Sequence, residues 1–121
     1  MIKTYGLSHV ALSVRDLDRS VAFYRVVFGV QEYFRDSTSV QVLGPGPHDV
    51  LAFEKRPTDA GAVGGIIHFG FRLTRAEDID AAVEAIKSAG GTVTSRGEFA
   101  PGMPYAFVRD LDGYEIEIWY E

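Results

Sequence analysis

Two histidines stand at matching points in the two halves of this 121-residue chain. His9 opens an alternating segment over residues 9–14, and His68 opens a similar segment 59 residues later. Glu117 lies on a third alternating segment near the C-terminus. Two imidazoles and one carboxylate are a recurring ligand set for a divalent metal with open coordination positions. The three residues therefore predict a metal site that both halves of the chain build together.

The alternation of side chains places these residues on the strand faces opposite the apolar ones. Successive residues of a strand point to opposite faces, so His9 shares its face with Ala11, and His68 shares its face with Gly70. The other faces of the same segments are apolar and are expected to pack against helices. The pattern predicts a sheet curved around a polar hollow, with the helices on the outside.

Each half of the chain has the order strand, helix, strand, strand, strand. In the first half, Asp16 is suited to begin the helix as an N-cap, and Gly29 is suited to end it. In the second half, Thr74 and Glu77 have the spacing of a capping box. The strands are expected at residues 7–14, 30–36, 39–43, 50–55, 66–73, 92–96, 105–109 and 114–120.

The repeat and the length together predict the domain organisation. A chain of 121 residues is expected to form one compact domain. We therefore predict a single α+β domain over residues 1–121, with a first module over about 1–60 and a second over about 61–121.

Composition argues against several classes of partner. The net charge is −5 and no run of basic residues occurs, so nucleic acid is not an expected partner. No apolar stretch approaches the roughly 18–20 residues that span a bilayer, so no membrane association is expected. The chain has no cysteine, which removes disulfides, thiolate ligands and a cysteine nucleophile. These features favour a cytoplasmic protein.

Three segments carry a resemblance to a known family. They read Leu-Ser-His-Val-Ala-Leu-Ser-Val over residues 7–14, Gly-Ile-Ile-His-Phe-Gly-Phe over 65–71, and Phe-Val-Arg-Asp-Leu-Asp-Gly-Tyr-Glu-Ile-Glu-Ile over 107–118. They resemble the vicinal oxygen chelate superfamily. That superfamily contains glyoxalase I, extradiol ring-cleaving dioxygenases, methylmalonyl-CoA epimerase, fosfomycin-resistance enzymes and bleomycin-binding proteins. The resemblance covers nearly the whole chain.

The resemblance implies both an architecture and a cofactor. The fold would be two paired βαβββ modules that form a cupped mixed sheet with the helices on the outside. His9, His68 and Glu117 match the family's ligand positions for one divalent metal ion per site, and Fe, Mn, Zn, Ni and Mg are all compatible. The resemblance also implies a homodimer, because members of this length usually form dimers, and in some of them the two chains share each site.

Two departures from the family pattern bear on the reaction. Glyoxalase I and the epimerase take an additional Glu or Gln ligand from the fourth strand, where a gapless match places Ala52, with Glu54 two residues further on the same face. Ring-cleaving dioxygenases keep three ligands and use a tyrosine near the metal. Phe107 stands where that tyrosine is expected, and Tyr105 is close by. A lyase, an isomerase and a ring-cleaving dioxygenase therefore all stay open.

The first functional hypothesis is a metal-dependent enzyme for a small-molecule substrate that chelates the ion through two neighbouring oxygens. The cation would stabilise the negative charge that develops on a substrate oxygen. Proton transfer also requires a base within hydrogen-bond reach of the substrate. The candidates for that base are Glu54, Glu115 and Tyr105.

The second hypothesis is a binding protein of the bleomycin-resistance type, which sequesters a small molecule without catalysis. Aromatic residues make up 12% of the chain, and pockets for small molecules are lined mainly by apolar and aromatic side chains. The residues expected to shape such a pocket are Arg72, Phe99, Met103 and Trp119.

Overall fold

The computed structural model describes residues 1, 3, 5, 7–46 and 48–121. The chain divides into two compact units, Met1–Ala60 and Gly61–Glu121. The first unit contains β1 (His9–Val14), α1 (Leu17–Phe28), β2 (Gln31–Arg35), β3 (Ser39–Leu43) and β4 (Val50–Lys55). The second contains β5 (Phe69–Arg72), a 3-10 turn (Ala76–Asp78), α2 (Ile79–Ser88), β6 (Thr92–Glu98), β7 (Pro104–Arg109) and β8 (Glu115–Trp119). The predicted α+β class and the βαβββ order of each module are confirmed.

The two units have the same sheet topology. The strand orders are β1-β4-β3-β2 and β5-β8-β7-β6, so β1 and β5 are each at one edge of their own sheet. The pairs β1–β4 and β5–β8 are parallel, and the other neighbouring strands are antiparallel. Because the order repeats, residues at equivalent register positions can be compared directly between the two units.

Helix α1 begins and ends at the predicted residues. Asp16 has an extended backbone, and its carboxylate accepts a hydrogen bond from the backbone N–H of Arg19 at 2.9 Å. Gly29 ends the helix in the left-handed conformation, with φ of 68°. A side-chain N-cap satisfies an otherwise unpaired helix N–H, and glycine adopts a positive φ without steric cost.

The second helix does not begin at the predicted capping box. Arg75 is extended and precedes the 3-10 turn, with no side-chain cap hydrogen bond at the start of either the turn or α2. The Arg75 guanidinium instead binds the Asp78 carboxylate, with an Nη2–Oδ1 distance of 2.8 Å. That hydrogen bond holds the pKa of Asp78 below its usual value. The capping-box prediction for Thr74 and Glu77 is therefore wrong, and α2 starts at Ile79.

Strand β5 is shorter than the expected 66–73. Gly64 and Gly65 have positive φ angles of 58° and 95°, and the Ile66 N–H donates to the Val63 carbonyl at 3.0 Å. This turn delays the strand until Phe69. His68 is consequently an exposed residue that lies immediately before β5 and outside the strand.

Each unit has its own apolar core between helix and sheet. In the first unit, Tyr24 of α1 is buried and its ring lies 5.0 Å from that of Phe53 on β4. In the second unit, Ile86 of α2 is fully buried, as are Ile116 and Ile118 of β8. The apolar strand faces therefore pack as the alternation predicts. Within the described part of the chain, neither helix has the length and apolar character needed to cross a bilayer.

Candidate metal centre

The second unit brings two of the predicted ligands together. The Nε2 atom of His68 lies 3.3 Å from Oε2 of Glu117, and their side chains are 34% and 17% exposed. Glu117 is paired across β5–β8 with Gly70, whose missing side chain leaves space beside the carboxylate. A Cβ added at Gly70 would lie 3.5 Å from the Glu117 Cβ. An imidazole nitrogen and a carboxylate oxygen that converge in this way are suited to a shared divalent cation.

An aromatic side chain forms one wall of this pair. The Phe107 ring meets the His68 ring edge-on, with centroids 5.2 Å apart. Phe107 reaches this place because it is the cross-strand partner of Glu117 in the β7–β8 pairing. In the sequence, Phe107 stands out only as a departure from the dioxygenase pattern. Its contact with His68 became visible only from the strand register.

The third predicted ligand, His9, is the first residue of β1 in the first unit. Its Nδ1 atom lies 2.8 Å from the hydroxyl oxygen of Ser8. A metal-binding imidazole is typically oriented by a hydrogen bond at the nitrogen that does not bind the metal. Ser8 therefore leaves Nε2 of His9 for coordination, the same nitrogen that His68 directs at Glu117. No sequence motif marked Ser8 for this role.

The described residues of neither unit bring three ligating side chains together. The second unit supplies the His68–Glu117 pair, and the first unit supplies His9 with its Ser8 partner. The donor set of two imidazoles and one carboxylate suits a borderline or hard divalent ion, and it lacks the thiolates that soft ions prefer.

His9 opens onto a cavity of about 220 Å³ in the first unit. Across this cavity, the Tyr33 hydroxyl donates a 2.5 Å hydrogen bond to Oε1 of Gln41. The lining residues are Ser8, His9, Tyr33, Gln41, Val50 and Ala52. No motif in the sequence marks Tyr33 or Gln41. The register of the β2–β3 pair shifts between Glu32 and Phe34, so a count by twos does not assign the face of Tyr33.

The register of β4 shows which residue of the first unit corresponds to Glu117. Ala52 pairs with Ala11 as Glu117 pairs with Gly70. Glu54 pairs with Ser13, so it lies two residues further along β4, and the β1–β4 pairing contains no register shift. The place of a fourth ligand is therefore occupied by a buried alanine.

The three candidate bases have different surroundings. Glu115 is half-buried on β8, two residues before Glu117, with its Oε1 3.4 Å from the Thr94 hydroxyl. Tyr105 lies on β7, and its hydroxyl reaches the neighbouring strand β6. The hydroxyl oxygen would be 2.6 Å from a Cβ added at Gly97. Glu54 is exposed and belongs to the first unit. Only Glu115 shares a strand and a face with one of the predicted ligands.

The residues expected to shape a pocket all lie in the second unit. The Phe99 ring stacks on Tyr105 with centroids 4.5 Å apart, and Tyr105 meets Phe107 at 5.6 Å. Met103 closes the turn before β7, where its carbonyl accepts the Phe99 N–H at 3.0 Å. These contacts place Phe99, Tyr105 and Phe107 in one aromatic series that ends at the His68 ring.

Arg72 and Trp119 form a separate contact near the end of β8. The Arg72 guanidinium carbon lies 5.7 Å from the centre of the Trp119 ring, and the guanidinium also donates to the backbone carbonyl of Glu121. The two residues are direct partners in the β5–β8 register. This cation–π contact gives Arg72 a structural role at the end of the sheet.

Comparisons with known proteins agree with the fold. The family described as "Glyoxalase/Bleomycin resistance protein/Dioxygenase superfamily" matches residues 6–118. A probable lactoylglutathione lyase from Vibrio parahaemolyticus is 36% identical over 91% of this chain and 86% of the relative. A manganese-dependent 2,3-dihydroxybiphenyl 1,2-dioxygenase from Geobacillus genomosp. 3 is 29% identical over 93% of this chain, but the match covers only 36% of that longer protein.

A solved structure has the same backbone fold. The fosfomycin resistance protein FosX from Listeria monocytogenes superposes with a TM-score of 0.83 and 24% identity, over all of this chain and 95% of that one. The family match covers nearly the full length, and the βαβββ order of each unit agrees with it. The chain belongs to the glyoxalase/bleomycin resistance protein/dioxygenase superfamily.

Proposed function

We propose that the chain is a divalent-metal-dependent enzyme for a small substrate that binds the ion through two neighbouring oxygens. The proposed ligands are His9, His68 and Glu117. The observation that carries the proposal is the 3.3 Å approach of His68 Nε2 to Glu117 Oε2. Relatives named as a lyase and as a manganese-dependent dioxygenase support it.

The protein side chains would bind the ion and orient the substrate. When bound, the ion supplies positive charge that stabilises a developing oxyanion on the substrate. Ser8 holds the His9 imidazole through Nδ1, and Phe107 packs edge-on against the His68 ring. Because Ala52 stands where a fourth ligand could lie, a bound ion would keep positions for two substrate oxygens.

Glu115 is the proposed proton acceptor. Residues two apart on a strand are about 7 Å apart on the same face, so a small substrate would fit between Glu115 and Glu117. A base must come within about 3 Å of the proton it removes, and a substrate bound between the two carboxylates would satisfy this.

The test of the proposal is metal analysis followed by a two-substrate screen. Protein purified without a polyhistidine tag is expected to take up one divalent ion per chain from Mn²⁺, Fe²⁺, Ni²⁺ or Zn²⁺. Each metal form is then assayed with the hemithioacetal of methylglyoxal and glutathione, and with 2,3-dihydroxybiphenyl. Turnover of the first supports a lyase, and ring cleavage of the second supports a dioxygenase. Absence of stoichiometric metal with all four ions would refute the metalloenzyme.

We also propose that the protein is a homodimer in which two chains share each site. The edge positions of β1 and β5 are preceded by exposed apolar residues, with Leu7 84%, Ile66 69% and Ile67 72% exposed. Exposed sheet edges with apolar flanks are normally covered in stable proteins. A second copy would cover both edges and add His9 to the His68–Glu117 pair of its partner.

Mixing two inactive variants tests the shared site. His9→Ala and Glu117→Gln are each expected to lose metal binding as pure dimers. In a mixed dimer, one site receives His9 from the second variant and His68 with Glu117 from the first, so up to one intact site per mixed dimer is expected. Metal content is measured after native mass spectrometry establishes that mixed dimers have formed. No recovery in such mixtures would place all three ligands in one chain.

A binding protein without catalysis is the second candidate. The aromatic series Phe99, Tyr105 and Phe107 favours it, because stacked rings offer a surface for a flat aromatic ligand. It would be supported by ligand binding that is equally tight in metal-free protein and in a folded His9→Ala/His68→Ala variant.

A further inference from the structure

The cavity beside His9 contains a hydrogen-bonded pair of side chains that the ligand set does not use. The Tyr33 hydroxyl donates to Oε1 of Gln41 at 2.5 Å, and both residues line the 220 Å³ cavity. We refer to these two residues as the Tyr33–Gln41 couple. Tyr33 is 51% exposed, so its side chain is not part of the apolar core. The pair therefore lies on an open cavity wall, where its polar groups can reach a bound molecule.

The hydrogen bond fixes what Gln41 offers to the cavity. An amide has one acceptor oxygen and an NH₂ group with two donors. Tyr33 engages the oxygen, so the amide nitrogen keeps both of its N–H donors for another molecule. Among residues 7–46 and 48–121, no acceptor for the side-chain N–H of Gln41 is present.

The strand register places this donor beside the proposed metal ligand. Gln41, Ala52 and Ala11 form one row across β3, β4 and β1. The equivalent row in the second unit is Phe107, Glu117 and Gly70. The second unit thus carries an aromatic wall and a carboxylate where the first has an amide and a methyl group. The small side chain of Ala52 leaves the space between Gln41 and β1 open.

The charges of the residues that line the cavity limit which chemical groups the Gln41 amide can bind. None of the described residues that line it is lysine or arginine. A phosphate or phosphonate group normally requires such cations or several convergent backbone N–H groups. A single neutral amide N–H instead suits a carbonyl-type oxygen.

We propose that the Tyr33–Gln41 couple is a substrate-orienting site, in which the Gln41 amide N–H donates to a carbonyl-type oxygen of a substrate bound at the His9 site. This inference rests on the proposed function, because the substrate is placed there by the metal. Tyr33 acts through Gln41 and is a positioning residue. The couple gives the first unit its own role in choosing the substrate.

The test separates metal binding from binding of an oxygen chelator. Wild-type protein is titrated with Co²⁺ alone, and the Co²⁺ form is then titrated with acetohydroxamate, which carries a carbonyl oxygen next to a second oxygen. Both steps are followed by calorimetry and by the visible Co²⁺ spectrum. In Gln41→Leu we expect unchanged Co²⁺ affinity and about tenfold weaker acetohydroxamate binding. Tyr33→Phe, which releases the amide, is expected to weaken acetohydroxamate about threefold.

The chain offers a matched control in its other glutamine. Gln31→Leu makes the same change at an exposed position of β2 outside the cavity lining and is expected to leave both titrations unchanged. Inorganic phosphate, which has no carbonyl oxygen, is titrated in parallel and is expected to respond less to Gln41→Leu than acetohydroxamate does.

Four results would overturn the inference. They are equal acetohydroxamate affinity in wild type and Gln41→Leu, weaker Co²⁺ binding in Gln41→Leu, an equal loss for inorganic phosphate, and the same loss in Gln31→Leu. The second result would make Gln41 a metal ligand. If wild-type protein does not bind Co²⁺ at all, the proposed function itself fails, and the inference fails with it.

Discussion

Replacement of His68 by alanine is expected to abolish stoichiometric metal binding and to lower kcat/KM by at least about 10³-fold. Loss of a partner that only orients a ligand typically costs 10–100-fold in metal affinity, so loss of a ligand itself is expected to exceed about 100-fold. His68 lies 3.3 Å from Glu117, and its removal would leave that carboxylate without its imidazole neighbour. Metal content by mass spectrometry and a Co²⁺ titration measure the effect.

The third histidine provides the control for this variant. His48 is exposed in the loop before β4, where its ring stacks on Tyr5 with centroids 5.5 Å apart. His48→Ala is therefore expected to keep full metal content. Glu117→Gln preserves the size of the side chain and is expected to lose the metal as His68→Ala does. Retention of one metal ion per chain by folded His68→Ala would remove His68 from the ligand set.

The faces of the strands, and the two ends of helix α1, are predictable because they depend on local rules. The side-chain period of a strand is two, so Ile116 and Ile118 are buried while Glu117 between them is only half-buried. Asp16 and Gly29 cap α1 through interactions within four residues of the chain. Such signals need no knowledge of which strands become neighbours.

The features that sequence analysis missed depend on register and on competing side-chain contacts. Tyr33 lies where the β2–β3 register shifts, so counting by twos does not assign its face. The Phe107–His68 contact requires β7 to lie beside β8, which is a property of the folded sheet. The predicted capping box fails because Arg75 binds Asp78 and the chain winds a 3-10 turn before α2.

Replacement of Glu115 by glutamine is expected to lower kcat by about 10²–10³-fold while metal content stays at one ion per chain. General base catalysis typically contributes about 10²–10⁴-fold, and glutamine keeps the size of the side chain but has no basic oxygen. Glu115 faces the same side of β8 as Glu117 and is paired across β7–β8 with Arg109. Steady-state kinetics with the substrate found in the screen, together with metal analysis, measure the two quantities separately.

The separation of turnover from metal binding is what identifies Glu115 as a proton acceptor. A residue that only supports the sheet would change metal content and kcat together, whereas a base changes kcat and removes the acidic limb of its pH profile. Glu98→Gln makes the same change at an exposed position of β6 in the same sheet and is expected to leave kcat unchanged. If Glu115→Gln retained wild-type kcat, the proton would have to pass to another acceptor, and Tyr105 or Glu54 would take its place as the residue to test.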